Sequence, residues 1–156
     1  MASETTEFYL YPGVIFAHRE PHIVTTVLGS CVAVCLWDSV LNIGGINHYM
    51  LPLWNGNGLS SPKYGIIAIQ KLIEKMQDLG SKKSNLKAKV FGGAKVLQTN
   101  TSHLDIGKGN IHIAEKLLEE EHIPIISASV GGEQGRKLRF FTNTGIVMVK
   151  AVNRIG

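Results

Sequence analysis

Apolar and polar positions change their period along this chain, and the changes mark out its elements. Residues 22–28, HIVTTVL, are β-branched and apolar without helical spacing, which predicts a strand. After Gly29-Ser30, residues 32–37 (VAVCLW) form a continuous apolar run, the pattern of a strand buried on both faces. Asp38-Ser39 and Asn42 supply turn chemistry, and residues 43–50 (IGGINHYM) return as a second strand ended by Pro52. A hairpin loop at 38–41 sets Trp37 against Asn42 and Cys31 against His48, with Gly44-Gly45 available for a compensating bulge.

Upstream, residues 1–6 read as a loose start and 8–17 as an edge strand interrupted at Pro12-Gly13. Downstream, the glycines and asparagines of 53–61 predict a loop in which Trp54 covers the core or, as a second reading, forms a cleft wall. Ser61-Pro62 predicts a helix start, Ile66, Ile69, Leu72, Ile73, Met76 and Leu79 recur at helical spacing, and Gly80 stops the run. A basic connector, a strand at 88–92 and a polar stretch at 97–109 follow. Asn110 then caps a second helix that runs to about His122. Pro124 introduces a strand at 125–130, and 137–142 with 146–152 form a hairpin. The order predicts an α+β or mixed α/β fold, a largely antiparallel sheet system covered by two main helices, in one domain spanning 1–156.

Composition adds bounds. Hydrophobic residues make up 44% and charged residues 18%, the balance of an ordinary globular protein rather than a disordered one. The net charge of +4 is spread along the chain and no nucleic-acid motif accompanies it, so no nucleic-acid partner is expected. No apolar run reaches the ~20 residues that span a bilayer, and the N-terminus lacks the basic and apolar regions of a secretory signal. Two cysteines four apart in a strand lie about 13 Å from one another, too far for a disulfide. Free thiols fit a cytoplasmic setting. His103 and Asp105, with His112 and His122 dispersed, do not converge as a metal site needs, and Gly107-Lys108-Gly109 lacks phosphate-loop spacing. Neither metal nor cofactor is expected.

The chemistry concentrates around Cys31. A thiolate is the attacking form of cysteine, and an imidazole can take the thiol proton and later return it to a departing amine. Glycine before the nucleophile permits a sharp turn, and amides around Gly29, Ser30 and Cys31 are candidate oxyanion donors. Thr25, six residues upstream, is the candidate third member, its hydroxyl orienting His48. Cys35, in mid-strand, reads as core.

The string VLGSCVAVCLWD followed by GGINHYMLP resembles the CheD family of chemoreceptor glutamine deamidases. FGGAKV at 91–96, IGKGN at 106–110, IPIISASVGGEQGRKLRF at 123–140 and TGIVMVK at 144–150 extend the resemblance in family order. It implies a layered α/β sandwich, with hydrolysis of glutamine side-chain amides in bacterial or archaeal chemotaxis. The family's catalytic cysteine, histidine and threonine fall on Cys31, His48 and Thr25, with Thr26 the neighbour passed over because the six-residue offset selects Thr25. The resemblance also implies chemoreceptor (methyl-accepting chemotaxis protein) cytoplasmic helices as substrate and a CheC-like phosphatase as partner. Gly109 and Ser129 depart from the family pattern, which carries an arginine and often an acidic residue there. Two other classes remain open at this point: a non-catalytic chemotaxis adaptor, and another cysteine-dependent hydrolase of peptidase or transglutaminase type.

Overall fold

The computed structural model describes residues 5–95 and 105–153. Two sheets face each other. One is ordered β1-β3-β8-β9 and the other β2-β5-β4-β6-β7. Their strands are β1 (Thr6–Tyr9), β2 (Ile15–His18), β3 (His22–Leu28), β4 (Val32–Asp38), β5 (Ile43–Asn47), β6 (Leu86–Gly92), β7 (Ile125–Val130), β8 (Gly135–Phe141) and β9 (Val147–Val152). Only β1 with β3 and β6 with β7 run parallel. Helices α1 (Gly65–Asp78) and α2 (Ile106–Glu120) cover the outer face of the five-stranded sheet. The fold is α+β, with layered sheets, in agreement with the pattern read from the sequence.

The continuous apolar run of β4 has a direct cause in this layering. Val32, Val34 and Leu36 pack beneath the helices with Ile69, Leu72, Met76 and Leu118. Ala33 and Cys35 point the other way, into the core between the sheets with Val24, Leu28, Leu138 and Phe140. Both faces of the strand are therefore dry.

Gly44 and Gly45 host no bulge. They lie in the regular β4–β5 ladder, opposite Trp37 and Leu36. Their role is close approach on both sides of β5. A Cβ at Gly44 would stand 2.7 Å from the Thr142 carbonyl oxygen and 2.9 Å from the Phe140 ring, while one at Gly45 would stand 2.8 Å from the Leu72 side chain.

The structure corrects several local expectations. The hairpin loop is 39–42, because Asp38 pairs with Ile43 and its Oδ1 accepts from the Val40 and Leu41 amides at 2.8 and 3.1 Å. Asn42 closes the turn at φ 56°. Asp38 is thus the last strand residue rather than the first loop residue, and the register moves by two. The edge segment 8–17 is two strands, β1 and β2, at the edges of different sheets, with Pro12-Gly13 in the crossing between them. Helix α1 begins at Gly65 after Tyr64, not at Ser61-Pro62. Helix α2 begins four residues before Asn110, capped by Asp105, whose side chain accepts from the Lys108 amide. Trp54 is 36% exposed and donates to the Asn57 carbonyl at 3.1 Å, so its loop folds on itself rather than over the core. His103 lies outside the described residues.

Replacing Gly44 with Ala is expected to lower stability by about 1–3 kcal/mol, because the new methyl has no space between the sheets. Urea unfolding followed by circular dichroism reads the change, and an unchanged midpoint would contradict the close packing.

Candidate active site

Strand β3 ends at Leu28, and residues 29–31 carry the chain from one sheet to the other. Each carbonyl in this short connection is held. That of Gly29 accepts from the Ala94 amide at 2.9 Å, that of Ser30 from Asn110 Nδ2 at 2.9 Å, and that of Cys31 from the Gly93 amide at 2.9 Å. Gly92 makes the approach possible: at φ 105°, a Cβ there would collide with the Cys31 carbonyl oxygen. Cys31 is half-buried and its side chain packs at the margin of the inter-sheet core.

The observed register sets His48 opposite Ala33 and Cys31 opposite Met50, continuing from the Val32–Tyr49 bridge. The expected direct Cys31–His48 pairing is therefore replaced by a diagonal one. A shift of two preserves the face, because side chains alternate with period 2. Cys31 and His48 remain on the same inner side of the sheet, as diagonal rather than directly opposed neighbours. Beside them the β4–β5 ladder opens. The Val34 amide donates to Asn47 Oδ1 at 2.8 Å instead of to a main-chain carbonyl, and the His48 carbonyl turns away to accept from the Gly13 amide at 2.7 Å.

Across the core, Thr26 Oγ1 lies 2.7 Å from His48 Nδ1 and donates to the Leu10 carbonyl at 2.8 Å. A hydroxyl has one hydrogen, and a carbonyl can only accept. With that hydrogen on Leu10, Thr26 Oγ1 must accept from the ring, which assigns the Nδ1–H tautomer to His48. Nε2 then carries a free lone pair. It is buried and has no hydrogen-bond partner among the described residues.

Burial dominates the electrostatics. It lowers the His48 pKa from 6.5 to about 4 and raises that of Cys31, an effect its own backbone N–H partly offsets. The resting pair is thus a neutral thiol and a neutral imidazole. Burial raises the Cys35 thiol much further, despite the nearby Lys89 cation. That cysteine is 1% exposed and inert.

Cys31 and His48 therefore face the same side of the sheet without a hydrogen bond between them among the described residues, and Gly29 and Ser30 lie in the connection that leads to Cys31. Thr25 is not the hydroxyl that holds His48. It is paired with Arg139 and half-buried, while Thr26 is fully buried on the opposite side of β3. Alternation left the choice open because both sides of 22–28 carry apolar residues, Ile23 and Val27 on one and Val24 and Leu28 on the other. Sequence reasoning also missed Leu10, Gly92 and Asn110, whose contributions come through backbone groups or contacts distant in sequence. Among the described residues no group of three or more His, Cys, Asp or Glu side chains is placed to hold a metal, and no helix is long and apolar enough to cross a membrane.

Two layered sheets covered by two helices, with a half-buried thiol and a tautomer-fixed imidazole on the inner face of one sheet, define the class as an α+β protein with a candidate cysteine–histidine site. A family model described as CheD chemotactic sensory transduction matches residues 50–151. A protein of Trichlorobacter lovleyi named "Probable chemoreceptor glutamine deamidase CheD" is 48% identical over 94% of this chain and 91% of its own length. A protein of the same name from Sulfurimonas denitrificans is 47% identical over 94% of each chain. One from Anaeromyxobacter dehalogenans, named "Probable chemoreceptor glutamine deamidase CheD 1", is 41% identical over 92% of this chain and 84% of its own. The chain belongs to the CheD family. A solved structure, the hypothetical protein YfiH of Bacillus licheniformis, aligns over 70% of this chain and 49% of its own with TM-score 0.44 and 16% identity, too distant to bear on the site.

Iodoacetamide is expected to add one adduct to the folded protein, at Cys31, and two after unfolding in urea, as read by intact mass. A native adduct at Cys35 would contradict its burial. The His48 shift also sets a pH dependence. With a folded pKa of about 4 below the ordinary 6.5, the unfolded chain binds the proton first. Stability contributed by the neutral buried ring is complete above 6.5 and is lost as pH falls toward 4. His48→Gln is expected to flatten the fall of the urea midpoint in that window, and an unaltered slope would refute the shift.

Proposed function

We propose that this chain is a protein-glutamine deamidase that hydrolyses glutamine side-chain amides of chemoreceptors to glutamate and ammonia. The observation that carries the reading is the imidazole held as its Nδ1–H tautomer by Thr26, with Nε2 bare on the face that also carries Cys31. The names of the curated relatives supply the substrate class.

In the first half-reaction the Cys31 thiol gives its proton to His48 Nε2 and the sulfur attacks the carboxamide carbon. The Cys31 N–H, with neighbouring amides of the 29–31 connection, is the donor proposed for the oxyanion. His48 then protonates the amide nitrogen, the C–N bond breaks and ammonia leaves a thioester. Burial suits the ring to this step, since an imidazolium held in a dry site is a strong acid toward a departing amine. In the second half-reaction Nε2 takes a proton from water, the hydroxide oxygen attacks the thioester, and the proton returns to sulfur as glutamate is released.

Beyond the site, Met50, Leu51, Leu53, Trp54 and Leu59 expose apolar surface in the segment following His48. This surface supports docking of a chemoreceptor cytoplasmic helix beside Cys31. A CheC-like phosphatase is proposed as a further partner on the strength of family membership, and a cytoplasmic setting on the two free thiols.

Incubation with a chemoreceptor cytoplasmic fragment is expected to raise the fragment's mass by about 1 Da per converted glutamine, without cleavage or amine attachment. Cys31→Ala is expected to abolish this gain. Thr26→Val is expected to reduce kcat by about 100-fold, the low end of what general acid–base catalysis contributes, and Thr25→Val by less than about 3-fold. Full activity in Cys31→Ala would sink the mechanism. A larger loss in Thr25→Val than in Thr26→Val would sink the assignment of the orienting hydroxyl.

A further inference from the structure

We propose that Asn110, reaching from α2, is a positioning residue that fixes the Ser30–Cys31 peptide plane so that the Cys31 N–H is presented to the oxyanion. The inference rests on the deamidase reading and adds to it a residue that never meets the substrate.

Asn110 is fully buried. Its Nδ2 donates to the Ser30 carbonyl at 2.9 Å and to the Met50 carbonyl at 3.0 Å. Both partners are carbonyl oxygens, so only the nitrogen of the amide can face them, which settles its orientation. Its own backbone carbonyl accepts from the Tyr49 hydroxyl at 2.5 Å. One helical residue therefore joins the connection that carries Cys31 to the two residues that follow His48. The remaining side-chain oxygen is buried with no hydrogen-bond partner among the described residues. A buried acceptor left unpaired is unfavourable, so the side chain's contribution here lies in its two donor contacts.

Those contacts have a geometric consequence. No cis peptide bond occurs among the described residues. In a planar trans peptide the N–H points opposite to the preceding carbonyl. With the Ser30 carbonyl drawn toward α2, the Cys31 N–H is turned away from the helix. It donates to no backbone carbonyl among the described residues. An amide beside the attacking sulfur, with no backbone carbonyl taking its hydrogen among the described residues, is the geometry an oxyanion donor needs. A carboxylate at 110 has no donors for the Ser30 and Met50 carbonyls, and an alanine reaches neither.

Two readouts separate this role from a merely structural one. Alkylation of Cys31 by iodoacetamide displaces iodide at a saturated carbon and forms no oxyanion, whereas deamidation requires one. Asn110→Ala and the nearly isosteric Asn110→Asp are expected to lower kcat on a chemoreceptor cytoplasmic fragment by about 100-fold, the loss typical of a missing oxyanion donor. KM and the alkylation rate are each expected to stay within about 3-fold of the unsubstituted protein, since neither step builds that charge. Should Asn110→Ala fail to give a cooperative thermal transition, Asn110→Asp decides by the same criteria. Equal losses in deamidation and alkylation would overturn the proposal by showing that Asn110 only builds the loop, and unchanged kcat in both variants would overturn it directly. An unsubstituted protein that is alkylated at Cys31 yet converts no glutamine would instead strike the deamidase reading and this inference with it.

Discussion

A single hydrogen governs this site. The Thr26 hydroxyl has one proton to give, and the Leu10 carbonyl takes it. The hydroxyl oxygen is thereby obliged to accept from His48. The ring's tautomer follows, and with it the location of the basic lone pair. A carboxylate in that place would accept just as well, but it would also hold the ring's pKa up. The neutral hydroxyl does not, and burial is left to drive the imidazole toward about 4. On the proposed deamidase reading, such a neutral ring would shuttle protons rather than stand as an imidazolium beside a thiolate.

The same segment that supplies Leu10 also supplies the Gly13 amide, which holds the His48 carbonyl. Residues 10–13 cross from one sheet to the other, so the orienting hydroxyl and the histidine backbone are tied to one short stretch of chain. Cys31 sits in the other short connection between sheets, residues 29–31. There the neighbouring segments take up three consecutive carbonyls: the Gly93 and Ala94 amides just after β6 hold two, and Asn110 of α2 holds the third. The candidate site thus lies where the chain changes layers, and the hydrogen bonds at both crossings hold its backbone.

Glycine serves this packing in two different ways. Gly44 and Gly45 lack side chains because sheet and helix close on β5 from opposite sides. Gly92 has positive φ and must also let its own backbone pass the Cys31 carbonyl. An alanine at 44 would disturb stability, whereas one at 92 would first disturb the position of Cys31. Asn47 adds a local break, its side chain replacing a ladder bond beside Ala33 and His48.

Much of the architecture was written in the one-dimensional pattern. Strand β3 and strand β7 coincide with the apolar segments 22–28 and 125–130, and the α1 stripe from Ile66 to Leu79 lies toward the core. Such features follow from local periodicity and from burial of one face, which a sequence displays directly. That Cys31 and His48 lie on a common face was also within reach, because a two-residue register shift leaves side chains on their face. What periodicity could not decide was set by contacts between distant segments. The choice of Thr26 over Thr25 depended on which side of β3 meets the second sheet, and both sides were apolar. The start of α2 after Asp105, the inward turn of Asn110 and the tautomer of His48 were fixed by packing and by partners contributed from elsewhere in the fold. The sequence alone determined the strand and helix segments and marked the cysteine and histidine beside them as candidates for chemistry. Only the tertiary structure decided which hydroxyl, which carbonyl and which nitrogen meet, because hydrogen bonds depend on direction and separation in space rather than on spacing along the chain.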